Sequence, residues 1–206
     1  MKKLIAIVAF VAAMFIAGNA QAQLSLRFGY APETFNYSNS TSNYNGFFVG
    51  VHNNFDLKSG LQFSLGVQGR YNMKNNKESN ALGSITTKNT QLLVDVPVTL
   101  NYGIAFGQNV KISPFVGPMV SFALSGQTKT ITHENILDTN TESTSDWYGD
   151  NSNRSRLNLS LMFGANLKYV RLNIFGGYQM GLLDLNKSDN GTLKTNGVFV
   201  GLGYDL

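Results

Sequence analysis

The sequence predicts an all-β protein, an eight-stranded antiparallel up-and-down transmembrane β-barrel that follows an N-terminal signal peptide. Three observations lead to this prediction: an export signal at the amino terminus, eight segments in which apolar and polar residues alternate, and connections that alternate between short and long. Alternation with a period of two indicates strands, because successive side chains of a strand point to opposite faces.

The first 22 residues have the features of a secretory signal peptide. Lys2 and Lys3 give a basic start, an apolar run follows from Leu4 to Ala17, and Ala20-Gln21-Ala22 is a small-residue cleavage site. The apolar run is shorter than the about 20 residues that a spanning helix needs. We therefore expect a signal peptide over residues 1–22 and one barrel domain over residues 23–206.

The composition fits an exported β protein and argues against nucleic-acid binding. The chain has no cysteine, so neither a lipid anchor nor a disulfide can hold it, and the sheet itself must close the fold. Only 14% of residues are charged, while Gly (21), Phe (14) and Tyr (9) are abundant. The formal net charge of +4 includes the two lysines of the signal peptide, and the remaining basic residues form no cluster.

The alternation is clearest in "LQFSLGVQGRYNM", where every second residue is apolar or glycine and the intervening ones are polar or glycine. Several segments reach the about 10 residues of a tilted spanning strand, against about 5 to 6 for strands of soluble proteins. The eight predicted strands are 24–31, 47–57, 61–73, 92–102, 115–124, 156–169, 171–182 and 198–206.

The connections alternate between tight turns (58–60, 107–109 and 169–171) and longer segments (38–44, 74–89, 127–155 and 186–193). Membrane barrels have short periplasmic turns and long external loops, so both termini are expected on the periplasmic side. Tyr102, Tyr169 and Tyr204 lie on the apolar face near tight turns, and we expect them to form a periplasmic aromatic girdle.

The opposite face of the strands carries charged side chains, which decides between a membrane barrel and an exported soluble barrel of lipocalin type. Burying these charges in a soluble core would be costly, whereas a membrane barrel points its polar face into the lumen. Arg70 and Asp95 are expected to form an ion pair there. The predicted lumen charges are Arg27, Arg70, Asp95, Arg156, Lys168, Arg171 and Asp205.

Three segments resemble the PorT-like outer-membrane β-barrel family of Bacteroidetes. They are "LLVDVPVTLNY" (Leu92 to Tyr102), "PFVGPMVSF" with its Gly-Pro step, and "GYQMGLLDL" with a Y-x-x-G-L pattern, in the order of the family. The chain departs from the family pattern at Thr99 and Asn101 and in ending with Leu206. The resemblance implies an outer-membrane barrel, and one branch of the family assists protein secretion.

Nothing in the sequence indicates catalysis, a cofactor or a metal site. The two histidines are His52, on the inward face of the second predicted strand, and His133, beside Glu134 in the longest loop. A pairing of His52 with Asp95 is conceivable, but a lumen histidine is more often a hydrogen-bonded filler than a base. No cluster of metal ligands at suitable spacing occurs.

The predicted loop 127–155 is the most distinctive connection, and an exposed flexible segment is the simplest interpretation of it. Its adjacent aromatic residues, Trp147 and Tyr148, are candidates for an external contact with a partner protein.

We therefore expect a small, monomeric, non-enzymatic protein in the outer membrane of a Gram-negative bacterium, structural or partner-binding through its external loops. Its surroundings would be outer-membrane lipid, and the barrel-insertion machinery would assemble it. The alternatives are a passive or gated channel for small solutes and an accessory of protein secretion. Eight strands leave an interior just filled by side chains, which argues against an open pore.

Overall fold

The computed structural model describes residues 22–38, 40–80, 83–134, 139–149, 152–188 and 191–206. Apart from Ala22, the predicted signal peptide lies outside the described residues. Leu57 leads into a single 3-10 turn, Lys58–Gly60, and the described residues contain no helix with the length and hydropathy of a membrane span. The strands are β1 (Ala22–Tyr30), β2 (Glu33–Tyr37), β3 (Ser40–Asp56), β4 (Leu61–Asn80), β5 (Gly83–Tyr102), β6 (Ile104–Phe106), β7 (Val110–Glu134), β8 (Thr139–Asp146), β9 (Leu157–Tyr169), β10 (Leu172–Gly181) and β11 (Leu193–Asp205).

These strands form a closed antiparallel ring with eight positions. β1 and β2 share one position, since both pair with β3 on one side and β11 on the other. In the same way, β5 and β6 both pair with β7, as do β8 and β9. The pairs β3–β4, β4–β5, β9–β10 and β10–β11 complete the ring. The predicted eight-stranded up-and-down barrel is confirmed.

The apolar face of the strands points outward. Residues spread over four strands are 46–65% exposed although they are apolar: Leu26, Phe28, Val49, Ile174, Val198 and Val200. In β4 the outward aromatic and aliphatic residues run from Leu61 to Tyr71, a span of about 34 Å along the strand and about 26 Å along a barrel axis at a tilt of about 40°. That height matches the about 25 Å apolar band of outer-membrane barrels.

The two ends of the barrel differ, and we call them the tight-turn end and the long-hairpin end. At the tight-turn end each of the three turns contains a residue in the left-handed region: Ser59 (φ 62°), Gly107 (φ 72°) and Val170 (φ 55°). The positive φ lets a short turn reverse the chain without adding residues. The tight-turn end is therefore compact.

At the long-hairpin end the strands continue far beyond the apolar band, and the predicted bounds of the loops are wrong. β4 and β5 are joined by residues 81–82 only, so most of the predicted loop 74–89 is strand. In the predicted loop 127–155, residues 127–134 and 139–146 are likewise paired strand segments of β7 and β8. Apolar alternation stops where the band stops, whereas the backbone ladder continues through Thr-, Asn- and Lys-rich sequence.

The continuation is a four-stranded sheet that we call the projecting sheet. It contains residues 74–80 of β4, 83–91 of β5, 126–134 of β7 and 139–146 of β8. A bulge opposite Leu92 and Leu93 marks the point where β7 passes from the barrel into this sheet. Because β3 pairs with β4 only as far as Met73, the outer edge of β4 is open beyond that residue.

Candidate functional site at the barrel mouth

Arg70 lies at the centre of a charged network in the half of the lumen nearer the long-hairpin end. Its side chain is 1% exposed, and its Nε lies 3.0 Å from Oδ2 of Asp95. Nη2 donates to Asp95 Oδ1 (3.2 Å) and to Ser121 Oγ (3.4 Å). The ladder places Arg70 opposite Leu93, so Asp95 is the diagonal neighbour on the same inward face. The expected ion pair is therefore present in the structure.

A second carboxylate, Glu33, completes this network and was not predicted. Its Oε2 lies 3.5 Å from Arg70 Nη1 and accepts a hydrogen bond from Asn72 Nδ2 (2.7 Å). Glu33 is 2% exposed. It belongs to β2, a short polar strand after Ala31-Pro32, where the apolar alternation of β1 has ended. No strand was predicted between residues 31 and 38, and only the pairing with β3 and β11 shows one.

A separate polar network fills the tight-turn end of the lumen around Asp205, which is 2% exposed. Its carboxylate accepts hydrogen bonds from Ser25 Oγ and Asn173 Nδ2 and lies 2.5 Å from Lys168 Nζ. Arg27 stacks on the Phe175 ring at 5.1 Å. The inward charges of both networks balance, because three cations (Arg27, Arg70, Lys168) face three anions (Glu33, Asp95, Asp205).

Between the two networks the lumen is filled by apolar side chains. The buried cluster consists of Ala31, Phe48, Met119, Met162, Phe175 and Phe199, with Phe115 packed against it. Two cavities within the lumen have volumes of about 30 Å³ and 20 Å³. Each has room for only one or two water molecules. The described side chains therefore fill most of the lumen.

Two residues predicted for the lumen lie elsewhere. Arg156 is exposed, and its guanidinium donates to the backbone oxygens of Ala123, Leu124 and Tyr148 at the long-hairpin end. Arg171 is exposed in the tight turn between β9 and β10. The alternation was extended one residue too far in both strands, since β9 begins at Leu157 and β10 begins at Leu172. Outside the ladder, alternation no longer fixes the direction of a side chain.

The three tyrosines of the predicted girdle lie at the tight-turn end and are 43–57% exposed. Tyr169 and Tyr204 lie on either side of Leu172 in the ladder, and Tyr102 is paired with Leu61. At the other border of the apolar band, Tyr30, Phe47 and Tyr71 are neighbours across three strands. Outward aromatic residues therefore mark both borders.

His52 makes no contact that indicates acid–base chemistry. It is buried, and its Nε2 lies 3.4 Å from Gln68 Oε1. Gln68 in turn donates to Asp95 Oδ2 at 3.3 Å, so the glutamine stands between the histidine and the carboxylate. The pairing of His52 with Asp95 considered from the sequence is therefore not formed. Within the described ranges, no three His, Cys, Asp or Glu residues form a group that could hold a metal ion.

Trp147 and Tyr148, the candidates for an external contact, form hydrogen bonds within the protein itself. Both are partly buried where the chain leaves β8 and crosses the barrel mouth. Trp147 Nε1 donates to Thr128 Oγ1 (2.7 Å), and the Tyr148 hydroxyl accepts from Gln91 Nε2 (2.5 Å). A Cβ on Gly126 would lie 2.7 Å from both rings, so this glycine makes room for them. The aromatic pair is therefore anchored to β5 and β7 at the mouth.

Arg154 is the residue around which the mouth is organised, and sequence reasoning did not single it out. Its guanidinium lies 4.7 Å from the Phe35 ring centroid and 4.3 Å from that of Trp147. Phe35, Tyr44 and Leu185 form a buried apolar cluster against which Trp147 packs. Burial lowers the pKa of Arg154 below its usual range, and the nearby tyrosine hydroxyls and Glu33 oppose this shift.

An open cleft of about 340 Å³ adjoins Arg154 at the mouth. It lies between the β2–β3 hairpin, the segment after β8 and the connection from β10 to β11. The side chains that line it are Phe35, Tyr37, Ser40, Ser42, Tyr44, Ser152, Asn153, Arg154, Asn186 and Leu193. No single stretch of sequence contains this set, so only the folded ring brings it together.

Solved structures similar to this chain are outer-membrane barrels. Ail, the attachment invasion locus protein of Yersinia pestis, in complex with the heparin analogue sucrose octasulfate, has 16% identity and a TM-score of 0.48 over 91% of this chain and 100% of that chain. Neisserial surface protein A has 12% identity and a TM-score of 0.45 over 91% and 100% of the two chains. The outer membrane enzyme PagL has 12% identity and a TM-score of 0.34 over 86% and 99%.

The family assignment rests on the sequence match. No curated protein matches the chain. The family model described as an outer membrane protein beta-barrel domain matches residues 11–187, which is most of the chain. That match agrees with the closed ring of strands, the outward apolar band and the polar lumen, and it places the protein in the lipid of the outer membrane. The chain belongs to the outer membrane protein β-barrel domain family.

Proposed function

We propose that this protein is a monomeric, non-enzymatic outer-membrane barrel that binds a partner protein through the open edges of its projecting sheet. The observation that carries the proposal is that residues 75–79 of β4 and 141–146 of β8 pair with no other strand on their outer side within the described residues. An open strand edge presents unpaired backbone N–H and C=O groups to an added strand.

The chemistry of the two edges supports selective pairing over indiscriminate aggregation. The β4 edge carries Lys77 and Glu78, and the β8 edge carries Glu142 and Asp146. Charged side chains on an edge discourage unspecific association. Glu142 lies 2.8 Å from Lys129 across the sheet, and both are about half exposed. A partner strand whose charged side chains are opposite in sign to those of an edge would pair with that edge.

The filled lumen argues against the channel alternative. Between the charge-balanced networks and the apolar layer, two cavities have room for only one or two water molecules each. We expect no stepwise conductance from the purified barrel in a planar bilayer. A role in protein secretion, implied by the PorT-like resemblance, would also use an exposed edge, and no residue of the chain favours that branch.

The proposal is tested with photo-crosslinking residues at Lys77 and Glu142 in intact cells. The matched control is Gln108, in a tight turn at the opposite end of the barrel. We expect one adduct of defined mass from an edge position and none of that mass from position 108. No adduct from either edge position, or an adduct of the same mass from position 108, would refute edge pairing.

A further inference from the structure

Arg154 is a partly buried cation that forms no ion pair with a described residue. Its Nε is buried without a hydrogen-bond partner among the described residues. Burying a charge without a partner is costly, and stacking on Phe35 and Trp147 compensates only in part. The Arg154 guanidinium can therefore still bind an anion.

The stacked geometry restricts where that anion can bind. The two aromatic rings face the guanidinium, whose Nε has no hydrogen-bond partner among the described residues. Arg154 also lines the mouth cleft. A planar guanidinium donates two parallel hydrogen bonds to a carboxylate or phosphate in its own plane. The cleft is the space from which such a group can approach.

The rest of the cleft is suited to a polyhydroxylated ligand. Ser40 supplies a hydroxyl group and Asn153 an amide, while the aromatic rings supply flat apolar surfaces. The hydroxyl of Ser42 accepts from Lys74, and that of Ser152 donates to the Trp147 carbonyl and accepts from Arg154 N, so each retains one lone pair for a ligand donor. Hydroxyl and amide groups can exchange hydrogen bonds with sugar hydroxyls, and ring faces can pack against the C–H faces of a sugar. The volume of about 340 Å³ is at the lower end of the range for small-molecule sites.

The walls of the cleft are tied together by backbone hydrogen bonds, so the site is largely formed before any ligand binds. Ser38 N donates to Thr192 O (3.2 Å), and Lys187 N donates to Asn153 O (2.7 Å). Arg154 and Asn186 form a bridge between the two connections. A preformed site loses less conformational entropy on binding than a disordered one.

We propose that the mouth cleft binds an anionic saccharide, with the Arg154 guanidinium on its carboxylate or phosphate group and the serine and asparagine side chains on its hydroxyls. This site is separate from the edges of the projecting sheet, and the inference holds whether or not those edges bind a partner.

Trp147 provides the readout, because it is the only tryptophan in the sequence and its ring is 4.3 Å from Arg154. The full barrel in detergent is titrated with galacturonate and glucose 6-phosphate, and with glucose as the neutral probe. We expect a saturable change in tryptophan emission with the two anionic sugars and none with glucose. Isothermal titration calorimetry provides a second measurement that does not depend on the fluorophore.

Arg154→Gln should weaken binding of the anionic sugars about 10-fold to 100-fold, the loss expected for hydrogen bonds to a charged group. Arg154→Lys, which keeps the charge but loses the planar fork, should give an intermediate loss. Lys129→Gln is the matched control, since it removes an exposed positive charge at the same end and should leave affinity unchanged. Heat-modifiable mobility on gels verifies that each variant is folded.

The outcomes separate clearly. No saturable binding of either anionic sugar by either method, or equal affinity in the wild type and Arg154→Gln, would overturn the proposal, as would binding of glucose as tight as that of glucose 6-phosphate. Titration in nanodiscs with and without lipopolysaccharide identifies the source of the ligand. A site already occupied when lipopolysaccharide is present indicates a membrane headgroup, whereas an unchanged titration indicates a free saccharide.

Discussion

Removing the Asp95 carboxylate is expected to destabilise the barrel, and the structure indicates by how much. Asp95→Ala leaves the buried Arg70 guanidinium with Glu33 as its remaining carboxylate. At an effective dielectric constant of about 20, unit charges separated by 3.0 Å and 3.5 Å attract by about 5 kcal/mol each before desolvation. The two carboxylates therefore contribute similarly.

Breaking a buried ion pair costs about 3–5 kcal/mol, because it leaves a buried charge without compensation. Since Glu33 remains, the free energy of unfolding of Asp95→Ala should fall by about 3 kcal/mol, at the lower end of that range. The double variant with Glu33→Ala removes the last carboxylate. Its loss should exceed the sum of the two single losses by about 1–2 kcal/mol.

The assay is urea unfolding in lipid vesicles, followed by tryptophan emission. Glu142→Ala, which breaks the exposed pair with Lys129, is the control and should cost less than about 1 kcal/mol. An Asp95→Ala variant as stable as the wild type would refute the reasoning. So would a double variant whose loss is only additive, because the two carboxylates would then not share one cation.

Three further predictions concern the mouth, the connection between β10 and β11, and the amino terminus. Gly126→Ala should displace Trp147, shift its emission to the red and cost about 1–3 kcal/mol, whereas Gly149→Ala, which would meet no atom within 4 Å, should do neither. Two backbone N–H groups donate to Asp184 and lower the pKa of its carboxyl below the usual 3.8. The connection between β10 and β11 should therefore be ordered at neutral pH, and it should lose that order as pH falls through the lowered pKa. Amide exchange measures this loss, and Asp184→Asn should abolish its pH dependence. The mature protein should begin at Gln23, which amino-terminal sequencing of membrane-extracted protein would contradict by finding Met1.

The limits of the sequence-based prediction have a common physical cause. Hydrophobic alternation reports where a strand crosses lipid, and it therefore located the apolar band correctly. It does not report how far a strand extends through water, where the backbone ladder alone continues the structure. The segments 74–80 and 126–134 alternate too little to be distinguished from loops, yet they form the projecting sheet. Arg156 and Arg171 were misplaced for the same reason, at strand ends.

The sequence by itself determined the strand number, the direction of the apolar face and the diagonal pair of Arg70 with Asp95. Each of these follows from a period of two and from the short separation of neighbouring strands. Only the tertiary structure decided that Glu33 joins that pair and that Arg154 lies between Phe35 and Trp147. Closure of the ring brings β2 beside β11 and folds the chain after β8 across the mouth, so residues more than 100 positions apart meet there. Such contacts depend on how the barrel closes, and no local pattern in the chain records them.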